Sequence, residues 1–188
     1  MVRRSFIMPA LACESAFDVA EWFLDTALND GEYLQPMKMQ YLMFLAQGYY
    51  AALTKGQRLI PSVFIATARG PVEPNSYKAY ASARPLINRT PFNRTVSAFL
   101  QTVWRKYGSY SADYLGRLIA AHAPYAEAFA QGENTEISLA LMTEFYTQGK
   151  NTPATPNAES FAATRVMRSQ SGKTVAVKKW IPAAKKQA

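Results

Sequence analysis

The 188-residue chain carries a single cysteine, Cys13, and a single histidine, His122. One thiol excludes an intramolecular disulfide. One thiol with one imidazole also falls short of the four ligands of a Cys/His structural zinc site. Catalysis of the Ser-His-Asp or Cys-His kind would have to run through His122 alone. No glycine-rich phosphate loop and no Walker or dinucleotide-binding pattern is found. Long apolar runs are missing too: the longest, Tyr41 to Ala46, has six residues, far below the ~20 that span a bilayer. Near the start, Arg3 and Arg4 precede an apolar stretch, Phe6 to Ala12, that Pro9 interrupts. This is a poor export signal, so a cytoplasmic protein without a membrane segment is expected. With so little catalytic inventory, the residues point to binding without a cofactor or metal, and not to an enzyme.

Charge is sparse at 18% of residues, and 49% are hydrophobic, which places the chain among folded proteins and not disordered ones. The net charge of +8 is unevenly spread. Residues 1–150 hold 14 Lys and Arg against 12 Asp and Glu, whereas residues 151–188 hold seven against one. The body is therefore nearly neutral and the basic character belongs to the tail.

Helical spacing dominates residues 15–149. Ser15-Ala16-Phe17-Asp18 has the form of a capping box. Phe17, Ala20, Leu24, Ala27 and Leu28 then mark an inner face, with Asp18, Glu21 and Asp25 on a solvated face, and Gly31 at the end. A second helix starts at Pro36 and is apolar all round through Tyr50, the pattern of a central helix. Gly48 inside it suggests that another backbone comes close. An extended segment is expected between Leu59 and Ala68, then a turn at Arg69-Gly70-Pro71-Val72-Glu73-Pro74 and a short helix from Asn75 to Ala83. Val96, Phe99, Leu100, Val103, Trp104 and Tyr107 fall in one stripe of a helix from Asn93 to Tyr107. Further helices are expected over Ser111–His122, from Pro124 to Gly132, and over Thr135–Gln148 with Ile137, Ala140, Leu141 and Phe145 inside. The expected fold is mainly α: a single compact domain of about six helices over residues 15–149, an N-terminal arm (1–14), and a linker with a basic tail (150–188). In that tail, Thr174-Val-Ala-Val177 after Ser171-Gly172-Lys173 offers a short hairpin, with disorder until a partner binds as the alternative.

Several ordered blocks resemble a known family. Phe17-Asp18-Val19-Ala20-x-Trp22-Phe23-Leu24, Leu34-x-Pro36-Met37-Lys38-x-Gln40, Ala46-Gln47-Gly48-Tyr49-Tyr50 and Gly70-Pro71-Val72-x-Pro74-x-x-Tyr77 are similar to the Panacea domain of SocA-type bacterial and phage-associated antitoxins. His122-Ala-Pro124-Tyr125 and Phe145-Tyr146 extend the likeness, which covers residues 16–147. The resemblance implies a helical, non-enzymatic antitoxin that binds a cognate protein toxin. It implies two routes of neutralisation: direct blocking, or delivery to the ClpXP protease through ClpX as a proteolytic adaptor.

Arg69-Gly70-Pro71-Val72 is the leading contact candidate, because a rigid turn with a protruding arginine suits an interface anchor; Tyr77 and Tyr80 follow it. The competing reading is a structural turn. Lys38 is a further candidate, although one member of the Lys38/Gln40 pair should bond locally while the other faces solvent. His122 is another contact candidate, with the competing reading of a histidine at a helix C-terminus, bonding backbone carbonyls where a cation is favoured. Cys13 has no basic neighbour in sequence and is expected to be unreactive. In the tail, Lys178, Lys179 and Trp180 are candidates for a toxin, a protease or, as the alternative function, an autoregulatory DNA site or other nucleic acid.

Overall fold

Ser15 opens the first helix as expected. Its side chain accepts from the backbone of the first turn while the Asp18 carboxylate accepts from the Ser15 N–H. The helix, α1, runs Ala16–Asn29, and Gly31 follows it at φ +73°, a left-handed conformation suited to glycine. In this computed structural model the described residues are 12–148, together with the backbone of 165–168 and 174–177. The chain divides into two units, Met1–Thr155 and Pro156–Ala188.

The first unit is mainly helical. Helix α2 (Pro36–Leu53) is its axis: Met39, Leu42, Met43, Phe44, Leu45 and Ala46 are all buried. Each fully buried leucine, phenylalanine or methionine contributes roughly 1.5–3 kcal/mol, so this run supplies a large share of the hydrophobic stabilisation. Around it pack α1, α4 (Arg94–Tyr107), α5 (Ala112–Ala120) and α7 (Leu139–Gln148). Helix α4 turns the predicted six-residue stripe inward without exception. The short α3 (Pro74–Ala79) is capped by Glu73, and α6 (Ala123–Gln131) has Pro124 in its first turn. Strands β1 (Phe64–Thr67), β2 (Gly70–Val72) and β3 (Glu136–Ile137) form an antiparallel sheet in the order β2-β1-β3.

Four expectations change. The inner face of α1 is rotated: Ala16, Val19, Ala20, Phe23 and Ala27 are buried, whereas Leu28 is 68% exposed. Its acidic face is not solvated either, because residues 80–90 cover it. Asp18 accepts from the Thr90 N–H at 2.9 Å, and Glu21 accepts from the Tyr80 hydroxyl and from Arg84. Gly48 accommodates a side chain and not a backbone, since a Cβ there would lie 2.2 Å from the Tyr146 ring. The last core helix begins later than expected, because Ile137 is taken by strand β3 opposite Phe64; Met142 and Tyr146 are its buried residues, and Ala140 is exposed.

The second unit contains the expected hairpin pairing: β4 (Arg165–Arg168) and β5 (Thr174–Val177) are antiparallel, with Arg165 opposite Val177.

Candidate functional site

Strands β1 and β2 are joined by two residues, Ala68 and Arg69, with Thr67 opposite Gly70 in the ladder. The tip is held from inside. Thr67 Oγ1 donates to the Gly70 carbonyl at 2.8 Å, and the Ala68 N–H donates to Glu133 at 3.3 Å. Two tyrosines from different helices fix its back: the Tyr125 hydroxyl donates to the Thr67 carbonyl at 2.7 Å, and the Tyr41 hydroxyl donates to the Arg69 carbonyl. Gly70 has φ +122°, and a Cβ there would stand 2.5 Å from the Tyr41 ring, so both backbone and packing require glycine. Burial pushes the Tyr41 phenol up, helped by Tyr125, Asp113 and Tyr77, while the Arg69 guanidinium acts in the opposite direction.

Beside this tip lies a cleft of about 570 Å³. Its walls are the tip (Ala68, Arg69, Gly70), the start of α2 with Tyr41, one face of α5, and Tyr125. Arg69, Asp113 and Arg117 are exposed along it, and among the described residues none of the ion pairs uses them. A second groove, of about 490 Å³, lies between α1, the α1–α2 loop and residues 80–84, with Leu28 and Tyr33 exposed on it.

The other predicted contact residues are mostly internal. Gly70, Pro71 and Val72 do not form a protruding turn. They form β2 and are buried against α2, leaving Arg69 as the projecting residue. Tyr77 is half-buried, and Tyr80 is buried on Glu21. Lys38 and Gln40 are both buried, so neither faces solvent. Lys38 Nζ donates to the Gly108 carbonyl at the end of α4, where a cation complements the helix dipole, and lies 5.8 Å from the Trp104 ring centroid. Gln40 donates to Ser76 Oγ at 3.0 Å and accepts from the Glu73 N–H at 2.8 Å.

His122 caps the start of α6, and its ring meets a side chain in place of a carbonyl: Nδ1 lies 2.9 Å from the Tyr146 hydroxyl. Burial lowers its pKa to about 4, so the imidazole is neutral and not a helix-end cation. The Cys13 thiol is buried, donates to the Leu59 carbonyl at 2.7 Å, and is pushed up to about 12 by burial. It is a poor nucleophile. Among the described residues, no group of three or more His, Cys, Asp or Glu is placed to hold a metal ion, and no helix is long and apolar enough to cross a membrane. Lys178, Lys179 and Trp180 lie outside the described residues.

Family models, curated proteins and solved structures yield no match to this chain. Tyr41 is far in the sequence from Asp113, Gly116, Arg117 and Tyr125, and only the fold makes them parts of one surface. Gly116 was the available signal: a glycine inside a short helix costs about 1 kcal/mol relative to alanine. Its reason here is Tyr41, whose hydroxyl would lie 3.2 Å from an added Cβ.

Proposed function

We propose that this protein is an antitoxin with a Panacea-type domain, which binds a cognate protein toxin and neutralises it by direct blocking or by delivery to a ClpXP-type protease. What supports the reading is the way the resembling sequence blocks bond to one another and to the segments beside them. Gln40 of the second block bonds the backbone of Glu73 in the fourth. Tyr41, the residue after the second block, bonds the hairpin that leads into the fourth. Gln47 of the third accepts from the Ile60 N–H at 2.8 Å. Residues that are scattered in the sequence thus serve one frame, and the frame presents the Arg69 tip and its cleft. The titratable residues also suit a binder, because His122 faces a phenol and Cys13 a carbonyl, so neither has a partner for nucleophilic catalysis.

The test is co-expression with the product of the adjacent reading frame. Growth should be rescued from that toxin, and the two proteins should copurify. A toxin that kills equally with and without this protein, and that never copurifies with it, would overturn the proposal. A second reading, nucleic-acid binding through residues 151–188, is favoured by the seven-to-one excess of basic residues there. It predicts a mobility shift that weakens steeply with salt. The absence of any shift at low salt removes it.

A further inference from the structure

We infer that the cleft beside the hairpin tip recognises a carboxylate carried on a peptide segment, with Arg69 and Arg117 as the two donors. This rests on reading the cleft as the partner-facing surface of the antitoxin, and it adds the chemistry of what enters. The first argument is charge that has no mate. Arg84 and Arg89 meet acidic residues of α1, and Lys38 lies 3.8 Å from Glu32. The guanidinium groups of Arg69 and Arg117 take part in no ion pair among the described residues; the same holds for Arg58, Arg94 and Arg105, but Arg69 and Arg117 line one concave surface together. Asp113 stands one helical turn before Arg117 on α5, the usual spacing for an intrahelical pair, yet the two do not pair within 4.0 Å.

The second argument is how the arginines are mounted. Arg69 sits on a two-residue loop whose carbonyl is tied to Tyr41. Arg117 rises from α5, a helix packed on α2. Both backbones are fixed while both side chains reach solvent, so a bound carboxylate orders only side chains. Guanidinium is the cation whose planar donors match a carboxylate in two-point contact.

The third argument is the balance of charge. Two arginines and Asp113 leave the cleft at +1. This favours a singly charged carboxylate over a polyphosphate or nucleic-acid backbone, which needs a sustained positive field. The apolar groove at Leu28 and Tyr33 offers no such argument, because its rim cation, Arg84, is already matched by Glu21 and Asp25.

Two sources share this chemistry, an acidic side chain and a free chain terminus, and three peptides separate them. One is capped at both ends with a central Asp. One lacks acidic side chains but has a free terminal carboxylate. The third replaces both carboxylates with amides. Each is titrated to millimolar concentration into the full-length 15N-labelled protein. The Nε–H signals of Arg69 and Arg117 and the Gly116 amide should shift with one or both carboxylate peptides and not with the amide peptide. Arg69→Gln and Arg117→Gln should each weaken the response about tenfold, and the double variant should abolish it. Both arginines are exposed, so unchanged melting temperatures will verify that the variants are folded. Equal shifts with the amide peptide, no shifts at all, or shifts that persist in the double variant would each overturn the inference. Failure of the peptide titration alongside toxin rescue removes only the cleft chemistry. A positive titration without rescue removes only the antitoxin reading.

Discussion

His122 gives the sharpest single-residue consequence. Its imidazole is held neutral with a pKa near 4, against 6.5 for an unperturbed histidine. Above pH 6.5 neither folded nor unfolded chain is protonated there, so the group is silent. As pH falls from 6.5 towards 4, the unfolded chain takes up a proton that the folded one refuses, and folding loses up to roughly 3 kcal/mol. Urea unfolding at pH 7.5 and 4.5 should therefore differ by about 2–3 kcal/mol more in the natural protein than in His122→Gln. Gly48 gives a second consequence. Its added methyl would lie 2.2 Å from the Tyr146 ring, and that ring is pinned by His122 and packed at a tilt against Tyr49. Gly48→Ala should cost about 1–3 kcal/mol through overpacking, read as a lower melting temperature. The sequence made Gly48 conspicuous but could not reveal what approaches it, since Tyr146 lies almost a hundred positions away.

At the scale of elements, legibility followed periodicity. The α4 stripe and the Ser15 capping box could be read because local spacing alone determines them. The covered face of α1 could not, because the segment covering it, residues 80–90, has no helical or alternating pattern beyond Ala83 and shows only Pro85 and its two arginines. That segment is held by Glu21, which accepts from both the Tyr80 hydroxyl and Arg84, and by Asp25 near Arg84 and Arg89. Glu21→Leu should leave the buried Tyr80 hydroxyl without its acceptor, costing about 1–3 kcal/mol. Trypsin should then cut after Arg89 faster than in the natural protein. Unchanged cleavage would show that the ion pairs do not hold the segment down. Strand β3 was missed for a related reason: two residues carry no pattern, and only their pairing with Phe64 and Ile65 defines them. The candidate cleft was half legible. Arg69 stood out beside Gly70-Pro71, whereas Arg117, Asp113 and Tyr125 needed the fold to bring them together.

For the whole molecule, the uneven charge separates two properties. Removing residues 151–188 takes the formal net charge from +8 to +2 and leaves every element from α1 to α7 intact. The shortened chain should melt within a few degrees of the full one. It should also elute from a heparin column at much lower salt, because electrostatic attachment scales with the number of cations engaged. On the antitoxin reading proposed above, neutralisation that survives this truncation unchanged would mean that the tail has no part in it. If it weakens while the fold persists, residues 151–188 contribute to binding or delivery.

The hydrogen bond from Tyr41 reaches the backbone of Arg69 and ignores its side chain. The scaffold thus grips this position by an atom common to all twenty amino acids. Whatever replaces arginine at 69 inherits the same placement, so the identity of the projecting group is uncoupled from folding. On the antitoxin reading proposed above, such a position can be rewritten one codon at a time to meet an altered partner, at no expense to the architecture behind it.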